Sequence, residues 1–178
     1  LEESGLLGSK YYAENPIYPL AKTVGGVNMD ALSPGSVARD VQVTGGDKSE
    51  LTRYLRAAMQ AMGLYETPED HSERGYYYRS DHFSFAKQGV PMFYLGRGSD
   101  WVHGGKAAAE AQAEEYNTKH YHRPSDEWSA MWDWSGMVQD VTLYYRLGRS
   151  LAMSKEWPNW YKTDEFRMIR DKSRAGGK

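Results

Sequence analysis

Residues Ser80–Leu95 read SDHFSFAKQGVPMFYL and change character at Gly89. Before the glycine, polar and apolar residues mix over a length that suits a short helix, Asp81 to Gln88. After it comes an unbroken apolar run, Val90 to Leu95, too short for a helix and bounded by glycines, which predicts a fully buried strand. A helix that stops on glycine and feeds a buried strand is the repeating unit of an α/β domain.

Working outward, the same alternation continues. Upstream, Ser4–Asn15 predicts a short helix stopped by Pro16. Thr23–Ala31 (TVGGVNMDA) predicts a buried strand that ends on polar Asn28-Met29-Asp30, and Leu32–Gly35 a turn. Val37–Val43 alternates as a second strand. Ser49 is the expected N-cap of a helix to about Met62, with Gly63 closing it. Tyr65–Arg79 is polar and turn-rich, a loop with room for one short strand. Downstream, Gly96–Arg123 predicts a long loop enclosing a helix at about Lys106–Glu115. Trp134–Met153 is the longest helical pattern, with Val138, Val141, Tyr145, Leu147 and Leu151 as its buried candidates. A last helix is expected at about Asp164–Asp171, followed by a tail frayed from about residue 172 through Ala175-Gly176-Gly177. The sum is one α/β domain over 1–178, its mostly parallel sheet covered by helices on both faces.

Composition narrows the function. The 178 residues are 40% hydrophobic and 26% charged with a formal net charge of −2, so neither a nucleic-acid partner nor an anionic membrane surface is implied. No apolar run approaches the roughly 20 residues of a membrane span. There is no cysteine, which excludes thiolate metal sites, cysteine nucleophiles and disulfides. The 14 tyrosines and 6 tryptophans serve core or wall packing more often than a binding groove; Tyr94, Trp101 and Tyr121 are the candidates for a pocket wall. The chain opens on Leu1 rather than methionine, which is expected of a processed or truncated product.

Chemistry concentrates at Glu2-Glu3, at Asp30, in the run His120–Glu127 and at Ser80-Asp81-His82. Ligands of open α/β sheets bind beyond the carboxyl ends of strands, where residues distant in sequence converge. Carboxylates with imidazole and no sulfur suit Zn, Mn or Co in hydrolysis. Each has a plainer reading: adjacent acids are commonly solvated, Asp30 serves equally to cap a turn, and His82 is more readily a core or supporting histidine than a ligand. His71 and His103 read as surface residues.

Four strings in one order, EESGLLGSKYY, VNMD, RSDHFSFAKQGVPMFYL and HYHRPSDEW, resemble metallopeptidase family 28, aminopeptidases with two co-catalytic zinc ions. The resemblance runs from Glu2 to about Asp171, and WPNWYKTDEFRMIRD looks like a subgroup of larger exported bacterial members. It implies the zinc-exopeptidase three-layer sandwich with a mixed, mostly parallel sheet. It also implies Glu2 as general base, Glu3 and His122 as ligands of one metal, and Asp30 as ligand of the other. Asp81 and His82 match an element that borders and supports the site, and Tyr121 and Asp126 fall beside the ligands or on the substrate side. His122 fits the motif and His120 does not. The family's remaining histidine and its metal-bridging aspartate lie upstream of the Glu-Glu pair. The resemblance therefore implies a C-terminal portion of a catalytic domain lacking its first strands. Alone, such a portion is expected to bind at most one zinc, to be inactive, and to self-associate through a bare sheet edge. The intact parent is expected to be a periplasmic or secreted zinc aminopeptidase acting on peptides. The alternatives are a single-zinc glutaminyl cyclase and a non-catalytic binding module of the same fold.

Overall fold

A computed structural model describes residues 1–30, 32–70 and 72–176; Ala31, His71 and Gly177 therefore lie outside the described residues. Among the described residues four strands form one sheet: β1 (Gly26–Asn28), β2 (Asp40–Val43), β3 (Tyr65–Thr67) and β4 (Met92–Arg97), in the order β1-β4-β2-β3. β1 runs parallel to β4 and β2 parallel to β3, whereas β2 and β4 are antiparallel, so the sheet is mixed and mostly parallel.

Among the described residues six α-helices accompany it: α1 (Leu7–Glu14), α2 (Thr52–Gln60), α3 (His82–Ala86), α4 (Gly105–Lys119), α5 (Ser135–Ala152) and α6 (Arg167–Ala175). The pleat of β4 shows how they are layered. Phe93 and Leu95 join Val41, Val43, Leu51, Leu55, Met59, Leu143, Leu147 and Leu151 in the main core, between the sheet and α2 with α5. Tyr94, between them, points the other way and meets the ring of His82 on α3 at 5.1 Å. Alternating side chains thus bury both faces, giving the three-layer α/β sandwich. On the α3 side, α1 is tied down by Ser9 Oγ donating to Ser84 Oγ at 3.0 Å and by Tyr12 against Phe85 at 5.8 Å.

A second cluster of Tyr77, Ala86, Trp160 and Phe166 fastens the C-terminal segment. Its anchor is Arg170, fully buried, whose guanidinium donates to the carbonyls of Leu20 (3.0 Å) and Thr23 (2.6 Å) on the way into β1. Gly89 is required here: its φ is +86° and a Cβ would stand 2.7 Å from the Arg170 backbone nitrogen.

Several expectations from sequence are corrected. β1 covers only Gly26–Asn28 and is half-buried. β4 begins at Met92 and alternates in burial, because one face takes the core and the other meets α3. α1 starts at Leu7, since Gly5 (φ +93°) and Leu6 (φ +60°) turn left-handed. Ser49 does not cap α2; it is buried in a bridge to Trp160, and α2 starts at Thr52 without a side-chain cap. α4 is longer than expected, ending at Lys119. On α5, Leu147 and Leu151 are buried but Val138, Val141 and Tyr145 are exposed; Leu143 and Tyr144 take the core positions instead. α6 runs to Ala175, past the expected onset of fraying. Trp101 packs against Gly35, Ala38 and Ala109 in a separate cluster and walls no part of the acidic site. No described helix is long and apolar enough to cross a membrane.

Candidate metal centre

The N-terminal residues fold back on themselves before α1. The amides of Gly5 and Leu6 both donate to the Glu2 carbonyl, at 3.1 and 2.9 Å, so Glu2-Glu3 sits in a tight turn rather than on a free end. Because α1 is bonded to α3, this turn is carried to the start of α3, where Asp81 lies. Asp30 follows β1. Its Oδ2 accepts a hydrogen bond from Ser80 Oγ at 2.9 Å, and Ser80 Oγ accepts one from Asn28 Nδ2 at 2.8 Å. Ser80 is buried, so this relay fixes the Asp30 carboxylate from behind.

His122 arrives from the loop after α4 with its backbone left-handed, at φ +57°. Its Nε2 is 2.8 Å from Glu3 Oε1, and the Tyr121 ring stacks on the imidazole at 3.8 Å. The loop is braced from outside: Tyr116 donates to Asp126 Oδ2 at 2.8 Å, and His120 Nδ1 lies 3.0 Å from the Ser125 carbonyl. His120 and Asp126 therefore shape the loop and do not enter the acidic cluster. His103 is exposed, as expected, and His71 lies outside the described residues.

Electrostatics bind the cluster together. Burial raises the Glu2 carboxyl above the ordinary carboxylate range, and the charges of Asp30, Glu3 and Asp81 raise it further. Burial, with Asp30 and Glu2 adding, pushes the Tyr94 phenol up to about 12. The Tyr121 phenol is raised by burial and by Glu3, against the opposing charge of Arg79. The charges of Glu2, Glu3, Asp30 and Asp81 thus act on a common neighbourhood, and Glu3 is in contact with His122. His82 is wholly buried between the rings of Tyr77 (4.8 Å) and Tyr94 (5.1 Å). Burial drives its imidazole down to about 4, with the Tyr77 backbone pulling the other way, and neither ring nitrogen has a well-formed hydrogen bond among the described residues. It is neutral at neutral pH and packs between the two rings.

In donor chemistry the site suits a zinc-type ion: Glu3 Oε1 and His122 Nε2 face each other and Asp30 stands near on an oriented carboxylate. In number it falls short. Among the described residues no three His, Asp or Glu side chains converge as a metal-binding group, whereas a catalytic zinc normally takes three protein ligands. Asn28 and Ser80 fall in stretches that the sequence singles out, Asn28-Met29-Asp30 and Ser80-Asp81-His82, but the sequence does not indicate that they hold Asp30.

An α/β sandwich with a carboxylate beyond the end of β1, and further carboxylates and an imidazole from the loops beside α1 and α4, suits a hydrolase-type site. Comparison with known proteins makes it specific: residues 1–146 match the description of peptidase family M28, and the chain belongs to that family. A curated relative, leupeptin-inactivating enzyme 1 of Streptomyces exfoliatus, is 32% identical over 115 residues, which is 62% of this chain and 23% of that enzyme. The chain thus spans about a quarter of the relative's length. No solved structure gives a significant match.

Proposed function

We propose that this chain carries part of the catalytic centre of a zinc aminopeptidase, which removes N-terminal residues from peptides as part of a longer protein. The observation that carries the reading is the Glu3–His122 contact at 2.8 Å beside Glu2, a carboxyl whose affinity for protons is raised. Glu3 and His122 would hold one zinc and Asp30 would help hold a second. Bound there, such ions supply Lewis acidity to the peptide carbonyl and to the attacking water.

The chain's own residues do the rest. Glu2 accepts the proton of the attacking water and delivers it to the departing amine. A raised carboxyl suits this, because general catalysis works best when the group's proton affinity approaches the working pH. Ser80 and Asn28 keep the Asp30 carboxylate in one orientation through both steps. The substrate's ammonium group is drawn to the acidic cluster, which favours cleavage at the N-terminal end. By family resemblance the parent is exported, so fractionation should find it outside the cytoplasm. β1 and β3 each pair with one strand only among the described residues, so sedimentation of the 178-residue chain should show self-association through a free edge.

The test is an assay of the parent protein on an aminoacyl anilide and on a glutaminyl peptide. Release of the anilide with no cyclisation of the glutaminyl end is expected. Cyclisation alone would assign the site to a glutaminyl cyclase, and inertness on both to a binding module.

A further inference from the structure

Three consecutive carbonyls, those of Ser33, Pro34 and Gly35, accept hydrogen bonds from one side chain. Arg97, the last residue of β4, donates from Nη2 to Ser33 O (2.5 Å) and Pro34 O (3.2 Å) and from Nη1 to Gly35 O (3.4 Å). Its side chain is buried, with the Asp140 carboxylate of α5 at 3.8 Å as counter-charge and the Trp101 ring 5.5 Å away. A Cβ at Gly136 would stand 1.3 Å from Nη1, so only glycine leaves room for the guanidinium. Two other elements grip the same turn. Gln112 of α4 donates to Pro34 O at 2.6 Å, the Gly35 amide donates to the Asp133 carbonyl at 2.7 Å, and the Gly136 amide donates to the Gly35 carbonyl at 2.9 Å. One backbone hydrogen bond is enough to close a turn. This one is held by β4, α4 and α5 together.

Contacts tie the turn to both halves of the candidate centre. Asp30 lies three residues before Ser33, and its carboxylate is fixed at the other end by Ser80. α4, which supplies Gln112, ends at Lys119 and leads into the loop where His122 meets Glu3. At the Pro34 carbonyl the Asp30 segment is therefore joined to Arg97 and to the helix that precedes His122. We infer that Arg97 is a positioning residue: by holding the 33–35 turn it sets where Asp30 stands relative to His122, and so how tightly the centre binds zinc. It acts through the turn and not by contact with metal or substrate. The inference rests on the reading of Asp30 and His122 as metal donors, and goes beyond it by naming what holds the two in register.

The test compares Arg97→Lys with the double variant Arg97→Met/Asp140→Asn, which leaves no buried charge without its partner. Amide hydrogen exchange of the 178-residue chain reads the turn. The Gly35 and Gly136 amides should exchange at least about tenfold faster in the double variant, the lower end for losing hydrogen bonds to a charged group, with the α2 amides unchanged. Zinc titration of the folded parent protein reads the site. Affinity should fall about 10–100-fold in the double variant, the usual reach of groups that orient metal ligands, and Arg97→Lys should recover part of it. If the double variant does not fold, Arg97→Lys decides by the same two readouts, with smaller losses expected. An arginine that served stability alone would lower the urea midpoint and leave zinc affinity untouched. That result, or exchange at Gly35 and Gly136 equal to that of the unmodified chain, overturns the inference. An unmodified parent that binds no zinc overturns it together with the metal reading. A parent whose zinc affinity depends on Arg97 but that leaves the aminoacyl anilide uncut overturns the aminopeptidase reading alone.

Discussion

Glu3 and His122 are 119 residues apart in the chain and 2.8 Å apart in space, carboxylate oxygen to imidazole nitrogen. Both side chains are more than half exposed, so as an ion pair the contact contributes little to stability. Its worth lies in bringing two donors together. Two are one short of a normal catalytic zinc site, so the 178-residue chain should hold at most one zinc ion, weakly. In a zinc titration, His122→Ala and Glu3→Gln should each weaken that binding by at least about tenfold, as losing half of a two-donor set requires. Two tightly held ions per chain after dialysis would contradict the donor assignment.

Ser80 stands behind Asp30 and joins it to Asn28. Ser80→Ala removes the donor to Asp30 and the acceptor of Asn28 while leaving both in place. Groups that orient metal ligands typically govern affinity by about 10–100-fold. Metal affinity of the parent protein should fall within that range in Ser80→Ala, and Ser80→Thr, which keeps the hydroxyl, should recover most of it.

Two buried groups give the chain opposed pH dependences. Asp140 faces Arg97 at 3.8 Å, but burial outweighs that attraction and pushes its carboxyl up to about 6. Between about pH 4 and 6 the folded chain keeps a proton that the unfolded chain has released, so this contribution is full at low pH and is lost as pH rises through about 6. His82, lowered to about 4, does the reverse: its contribution is full above about 6.5 and is lost as pH falls toward 4. Denaturant melts across pH 4–6 should show stability rising with pH more steeply in Asp140→Asn than in the unmodified chain. His82→Phe should shift the slope the other way. Each change is at most about 1.4 kcal/mol per pH unit, the value of one proton.

Arg170 is held by two backbone carbonyls and has no carboxylate partner among the described residues. Arg170→Leu keeps some apolar volume but leaves the Thr23 carbonyl without its donor and takes from the Leu20 carbonyl one of its two, the Thr23 amide remaining. It should cost about 1–3 kcal/mol in urea unfolding, the range for one buried group left unsatisfied. Arg170→Lys, able to reach one carbonyl, should fall between. A Leu variant as stable as the parent would show that α6 is not fastened this way.

The α/β alternation was legible because its signals are local: Gly89 ends a helix, Gly63 another, and apolar runs follow. What was not legible depended on partners distant in sequence. α5 is apolar on more than one face, so the choice of Leu143 and Tyr144 over Val138 and Val141 was made by α2 and the sheet. VPMFYL looked uniformly buried because periodicity cannot reveal that Tyr94 meets α3 while Phe93 and Leu95 meet α5. At the site, the candidate residues lie in the four strings that resemble the family. The Asn28–Ser80–Asp30 relay, joining residues 52 and 50 apart, carried no sequence signal of its own. Trp101, an aromatic near a loop, misled for the same reason.

In the proposed zinc-dependent cleavage Glu2 moves the proton. The direct measurement is Glu2→Gln in the parent protein, with metal content and aminoacyl anilide turnover determined on the same sample. Turnover should fall by about 10²–10⁴, the usual loss for a general base, with metal content unchanged. Near-normal turnover in that variant, with metal retained, would contradict the role given to Glu2.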